Sequence, residues 1–132
     1  MVQKFLVITG ASRGIGRATA ALFLAADYQV INISRRDPQL EGVQHISADL
    51  AVTGWAAAVA QELKQRLAAA SQITIIHSAG LLLKDNIETV SAEDLHRAMQ
   101  VNVIAPAELN QLILPSMAAG SAIIYVGSTL SE

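Results

Sequence analysis

The apolar residues of this chain fall in short runs: Phe-Leu-Val-Ile at 5–8, Val-Ile-Asn-Ile at 30–33, Ile-Thr-Ile-Ile at 73–76 and Ala-Ile-Ile-Tyr-Val at 122–126. Each run is bounded by polar or turn-forming residues. Runs this short, apolar at successive rather than alternate positions, predict strands covered on both faces, as in a parallel sheet. A fifth strand is predicted at Val43–Ser47, and the others at Lys4–Thr9, Gln29–Ile33, Ile73–Ile76 and Ala122–Val126. Between them the period changes. Ile15, Ala18, Leu22 and Ala26 recur at helical spacing, as do Trp55, Val59, Leu63 and Leu67. Thr53 is the expected N-cap of the second helix, over Gly54–Ala69. Ser91-Ala92-Glu93-Asp94 resembles a capping box and opens a third. Pro106 interrupts or kinks that helix, and a further segment runs to about Met117, before Gly120. The connection Arg36–Gly42, with Pro38 inside it, has room for one helical turn at most.

Strands alternating with helices imply an α/β domain of the Rossmann type: a doubly wound parallel sheet of about five strands with helices on both faces and right-handed crossovers. The expected strand order is 3-2-1-4-5, and residues 1–132 form a single domain.

Composition narrows the functional classes. Of 132 residues, 52% are hydrophobic and 15% charged, so the chain can bury a sizeable core. No apolar run reaches the length of a membrane helix. The formal net charge of −2 gives no reason to expect nucleic acid or an anionic membrane as partner. There is no cysteine, and His45, His77 and His96 fall at no metal-ligand spacing, so no metal site is expected. The first apolar run is too short for a signal-peptide core, which leaves a soluble, cytoplasmic protein as the expectation.

Ile-Thr-Gly-Ala-Ser-Arg-Gly-Ile-Gly, residues 8–16, links the first strand to the first helix. Gly10, Gly14 and Gly16 suit a tight turn with close backbone approach to a diphosphate, whose charge meets the free N–H groups of the helix start. The spacing is GxxxGxG rather than GxGxxG. The strand before it and the helix after it supply the context a dinucleotide site needs.

This stretch resembles the cofactor signature of the short-chain dehydrogenase/reductase family, and further matches follow in order. Asp49-Leu50 resembles the family's acidic-aliphatic pair that meets adenine. His77-Ser78-Ala79-Gly80 stands where the family usually has Asn-Asn-Ala-Gly. Val101-Asn102-Val103 resembles the segment carrying the family's Asn, and residues 114–128 resemble its helix–turn–fifth-strand–Ser segment. The resemblance covers the whole chain. It implies an oxidoreductase that moves a hydride between a nicotinamide cofactor and a carbonyl or alcohol substrate of small size. It implies cofactor contacts from Gly10, Ser12, Arg13, Gly14, Ile15, Gly16, Asp49, Leu50, Ser78, Ala79 and Gly80. It also implies catalytic roles for Ser128, on the substrate oxygen, and Asn102, in a proton relay. Asn102 has a second reading, as a residue bonded to backbone at a helix kink. His77, alone at a strand end, reads as structural. Asp49 is also an ordinary turn residue.

The second strand ends in Ser34-Arg35-Arg36. NAD sites place a carboxylate there to meet the ribose 2′-OH, whereas arginine accommodates a 2′-phosphate. With Ser34 at the acidic position and Arg13 facing the same pocket, the expected cofactor is NADP(H).

In the family the acid/base is a Tyr in a Tyr-x-x-x-Lys motif after the Ser. Here Tyr28 is followed four residues on by Asn32 and Tyr125 by Thr129, and none of Lys4, Lys64 and Lys84 makes the motif. The resemblance therefore implies the N-terminal part of a reductase, C-terminally truncated relative to the family and catalytically incomplete by itself. The alternative is a non-catalytic dinucleotide-binding or sensing module. On either reading the strand 122–126 is expected at a sheet edge. The face formed by Ile104, Leu109, Leu112 and Ile113 is expected to lack its neighbour, pointing to a homo-oligomer.

Overall fold

The four apolar runs, together with Val43–Ser47, become five parallel strands. The computed structural model describes residues 2–83, 86 and 88–127. Its strands are β1 (Lys4–Thr9), β2 (Gln29–Ser34), β3 (Val43–Ser47), β4 (Gln72–His77) and β5 (Ala122–Tyr125). They form one sheet in the order β3-β2-β1-β4-β5, all pairs parallel, as the alternation predicts.

Side chains alternate across the pleat, so successive apolar residues of β1 serve two cores. Phe5 and Val7 join Ile31, Ile33, Ile46, Ile73 and Ile75 beneath two helices, α2 (Trp55–Arg66) and α4 (Ala105–Ile113), which contribute Trp55, Val59, Leu63, Leu109 and Ile113. Leu6, Ile8, Val30 and Ile76 face the other way, under Ala20 and Phe23 of α1 (Gly14–Ala25).

Two expectations about these helices need correction. Thr53 does not cap α2. Gly54 occupies that place in the left-handed region, at φ 90°, and no side chain bonds the helix start. Nor do Leu109, Leu112 and Ile113 form an exposed face. Leu109 and Ile113 are fully buried and Leu112 packs against the same core, so of the four named residues only Ile104 is exposed. The 3.6-residue period turns that stripe toward the sheet and α2. The exposed apolar residues of this region lie one element earlier, at Leu95, Met99, Val103 and Ile104.

The third helical region divides as Pro106 requires. Ser91 caps α3 (Ala92–Met99), its hydroxyl accepting the Asp94 N–H at 3.1 Å. A π-helical turn, Gln100–Ile104, follows, and α4 starts with Pro106 in its first turn. Proline cannot donate to the carbonyl four residues back. The ladder shifts by one residue instead, and the Ala105 N–H bonds to the Gln100 carbonyl. A short 3₁₀ turn, Leu114–Ser116, leads on toward β5. β5 is the sheet edge, with Ile123, Ile124 and Tyr125 exposed.

The loops that leave the C-terminal ends of β1, β2 and β4 emerge side by side, because Thr9 lies level with both Ile33 and His77. α1 covers one face and α2 with α4 the other. The crevice between β1 and β4, where the strand order reverses, is where open α/β sheets take ligands.

Candidate functional site

A cleft of about 480 Å³ opens at that crevice. Its walls are the Gly-rich turn, the end of β2, the loop after β3 and the loop after β4. All fourteen residues proposed from sequence as cofactor contacts line it: Gly10, Ser12, Arg13, Gly14, Ile15, Gly16, Ser34, Arg35, Arg36, Asp49, Leu50, Ser78, Ala79 and Gly80.

The floor is backbone against backbone. Thr9, buried at the end of β1, accepts the N–H groups of both Ser78 and Ala79 at 3.2 Å, which binds the loop after β4 to the turn. The Gly10 N–H donates to the Ile33 carbonyl at 3.3 Å. At Gly16 a Cβ would press on the Gly10 carbonyl and stand 2.9 Å from Ser78 Oγ, so glycine is what lets helix and turn close. Arg13 is the N-cap of α1 and makes no side-chain cap bond, and no acidic side chain stands in the first turn. The N–H groups at the start of this twelve-residue helix are left for an anion.

The side walls are cationic. Arg13, Arg35, Arg36 and Arg97 line the cleft against one carboxylate, Asp49, in a chain whose formal net charge is −2. Arg35 and Arg36 are exposed. Ser34 stands at the end of β2 where a carboxylate was the alternative. Its hydroxyl is engaged internally, donating to the Arg36 carbonyl at 2.6 Å. Asp49 performs turn duty as well as lining the cleft, its Oδ1 accepting the Ala51 N–H at 3.0 Å.

Asn102 stands apart from the lining residues. Its Oδ1 accepts the Leu81 N–H at 2.8 Å and its Nδ2 donates to the Leu81 carbonyl at 2.9 Å. Both ends of the amide are thus spent on one backbone residue, and the π-turn is fastened to the loop beyond Gly80. Ser128 lies outside the described residues.

Sequence reasoning passed over Arg97 and Val101, members of the site that reach the cleft from α3 and the π-turn. Leu81, at the start of a segment (81–90) expected from sequence along one side of the site, extends the wall beyond Gly80. Arg97 precedes Val101 by four residues, so the helical period was the available signal.

His77 is buried behind the cleft rather than in it. Its Nε2 lies 2.7 Å from Asn110 Oδ1, Asn110 Nδ2 donates to the Tyr125 hydroxyl at 2.8 Å, and the rings of His77 and Tyr125 stack at 4.7 Å. Since the amide nitrogen is already a donor to Tyr125, the Asn110 oxygen accepts from a proton on Nε2. Nδ1 is buried without a partner among the described residues, and a second proton there would have no acceptor. Burial lowers the His77 pKa from its ordinary 6.5, against a smaller raising effect from Asn110. The unfolded chain therefore binds the extra proton more readily. The stability carried by the neutral ring is full above pH 6.5 and is lost as pH falls from there through the lower folded pKa. Melting temperatures measured from pH 8 down to 5 are expected to fall across that window, and less steeply for His77→Asn. Parallel pH profiles for the two proteins would contradict this account.

Comparison with known proteins agrees with the geometry. Residues 4–132 match the profile of the short chain dehydrogenase family. Protein FixR of Bradyrhizobium diazoefficiens is 33% identical over 131 residues, which cover 89% of this chain and 47% of that protein. A short-chain dehydrogenase/reductase family oxidoreductase from Brucella ovis, solved with a partially ordered NAD, is 32% identical. It superposes with a TM-score of 0.76 over 86% of this chain and 57% of its own. A blue fluorescent protein from a metagenomic library, solved with NADPH, is 26% identical, with a TM-score of 0.81 over 98% of this chain and 57% of its own. The chain spans about half the length of FixR. With sheet order, glycine-built turn and cleft in agreement with a match over almost its full length, the chain belongs to the short-chain dehydrogenase family.

Proposed function

We propose that this chain is the cofactor-binding part of an NADP(H)-dependent oxidoreductase acting on a small carbonyl or alcohol substrate. The observation that carries the choice of cofactor is the wall at the end of β2, where Ser34, Arg35 and Arg36 line the cleft together with Arg13. A guanidinium pairs with a phosphate through two parallel charged hydrogen bonds, and a carboxylate in place of Ser34 would repel it. The solved relatives carry either NAD or NADPH, so the family alone leaves the choice open, and these side chains support NADP(H).

The residues present fit such a cofactor. The N–H groups at the start of α1 and the glycine turn hold the diphosphate. Asp49 and Leu50 border the adenine end, Arg35, Arg36 and Arg13 hold the 2′-phosphate, and Ser78, Ala79 and Gly80 line the opposite wall. The cofactor, when bound, supplies or accepts the hydride. Asn102 keeps the segment after Gly80 in place through its two bonds to Leu81 and, in this reading, supports proton movement. Ser128 polarises the substrate oxygen as charge develops there. The Tyr-x-x-x-Lys pair that the family uses as acid/base is not among these 132 residues, and in this reading turnover needs such a pair. The exposed apolar residues Leu95, Met99 and Val103 favour association with a second copy.

Titration of the purified protein with NADPH and with NADH tests the reading. NADPH is expected to bind at least about tenfold more tightly, the equivalent of one charge-assisted hydrogen bond. Equal affinities would remove the assigned role of the arginines. Binding of neither cofactor would remove the reading altogether.

A further inference from the structure

Asn32 is an amide in the middle of β2, between Ile31 and Ile33, and it is fully buried. Such a group destabilises a strand interior unless both of its ends find partners. The partners of Asn32 lie in the Gly-rich turn, at the end of β2 and on β3. Its Oδ1 accepts the N–H of Ala11, in the Gly-rich turn, at 3.0 Å. Its Nδ2 donates to Ser34 Oγ at 2.8 Å and lies 3.1 Å from His45 Nδ1 on β3. The Ser34 hydroxyl then donates to the Arg36 carbonyl at 2.6 Å.

The chain of bonds has one consistent direction. Turned over, the amide would present its NH2 to the Ala11 N–H, donor against donor. With the oxygen held by Ala11, the NH2 faces Ser34. Ser34 must then accept, and its single proton is left for Arg36. The orientation of the turn thus sets the orientation of the serine, and the serine fixes the backbone that carries Arg36. We propose that Asn32 is a positioning residue that couples the phosphate-binding turn to the Arg35–Arg36 loop and so contributes to selectivity for a 2′-phosphate. The selectivity rests on the NADP(H) reading above, and the coupling rests on the hydrogen bonds alone.

The test uses the full-length protein and two variants. Ser34→Ala cuts the chain of bonds at the loop, and Asn32→Ala removes it at both ends. Two quantities are read: hydrogen exchange in peptides spanning residues 8–16 and 34–40, and the ratio of NADPH to NADH affinity. Ser34→Ala is expected to speed exchange in 34–40 only. Asn32→Ala is expected to speed it in both peptides. Each is expected to narrow the affinity ratio about three- to tenfold, the measure of one hydrogen bond, through weaker NADPH binding. Equal weakening of both cofactors, with exchange in 34–40 at the wild-type rate, would overturn the coupling and leave Asn32 a core residue. Should Asn32→Ala fail to fold, the Ser34→Ala pattern decides between these outcomes. A wild-type protein that does not discriminate would sink the NADP(H) reading instead, and the exchange pattern would still decide the coupling.

Discussion

Gly16→Ala is expected to abolish cofactor binding and to cost the chain about 3 kcal/mol or more, the upper range for overpacking. The new methyl would meet the Gly10 carbonyl group, with its carbon 3.0 Å away, and Ser78 Oγ at 2.9 Å. Ser78 can rotate aside, but the Gly10 peptide cannot easily do so. Its own N–H is tied to the Ile33 carbonyl, and the next N–H, of Ala11, is tied to Asn32. Relief comes only by moving α1 away from the sheet, which opens the core around Ala20 and Ile8 and spoils the anion cradle together. Gly14→Ala is the internal control. Gly14 has φ +60° with nothing within 4 Å of an added Cβ, so alanine there pays only left-handed backbone strain of about 1 kcal/mol. Urea denaturation followed through Trp55, the single tryptophan, buried and donating to Glu108 at 3.2 Å, reads the stability of both variants. A cofactor titration reads the cradle. If Gly16→Ala bound and unfolded like Gly14→Ala, the close packing of helix on turn would have no energetic importance.

The arginine pair gives the second large effect. Arg35→Gln with Arg36→Gln is expected to weaken NADPH binding about 10- to 100-fold, since hydrogen bonds to charged groups contribute about 1.5–3 kcal/mol. NADH affinity is expected to stay within about twofold, because glutamine keeps a polar side chain on a loop that its 2′-OH does not need for charge. Salt sharpens the distinction. Both arginines are exposed, so the NADPH advantage of the wild type should shrink as ionic strength rises and screening sets in. The double variant, without those charges, should show a much flatter salt dependence for NADPH. A double variant that still preferred NADPH by the wild-type margin would transfer the role to Arg13 or Arg97, the other two guanidinium groups lining the cleft.

Much of this molecule was legible before any coordinates, and the reason is locality. Strand positions follow from short apolar runs, and the glycine turn is one uninterrupted stretch with a strand on one side and a helix on the other. The doubly wound order follows from alternation, because parallel neighbours need a crossover and crossovers keep one hand. Residues of the cleft are grouped by their place at the C-terminal ends of strands, which the chain order alone supplies. That is why Gly10, Arg35, Asp49 and Ala79, far apart in the chain, meet in one cleft, to which the family resemblance assigns Asp49 and Ala79.

What only the tertiary structure decided are the places where a side chain answers to a residue with no neighbour in sequence. Leu109 and Ile113 carry the same pattern whether their stripe faces a partner or the sheet, and the position of α2 settles it. Gly54 takes the N-cap place of α2 instead of Thr53 because the backbone there is left-handed, at φ 90°, which glycine adopts without steric cost. His77 is an ordinary strand-end histidine until Asn110 comes within 2.7 Å of its ring and 2.8 Å of the Tyr125 hydroxyl. Asn32 is only a flaw in an apolar strand until Ala11 and Ser34 are placed at its two ends. Hydrophobic burial is non-directional and accumulates along the chain, so periodicity reports it. Hydrogen bonds between distant polar groups are directional and close only at fixed distances, so they exist only once the fold has brought the two partners together.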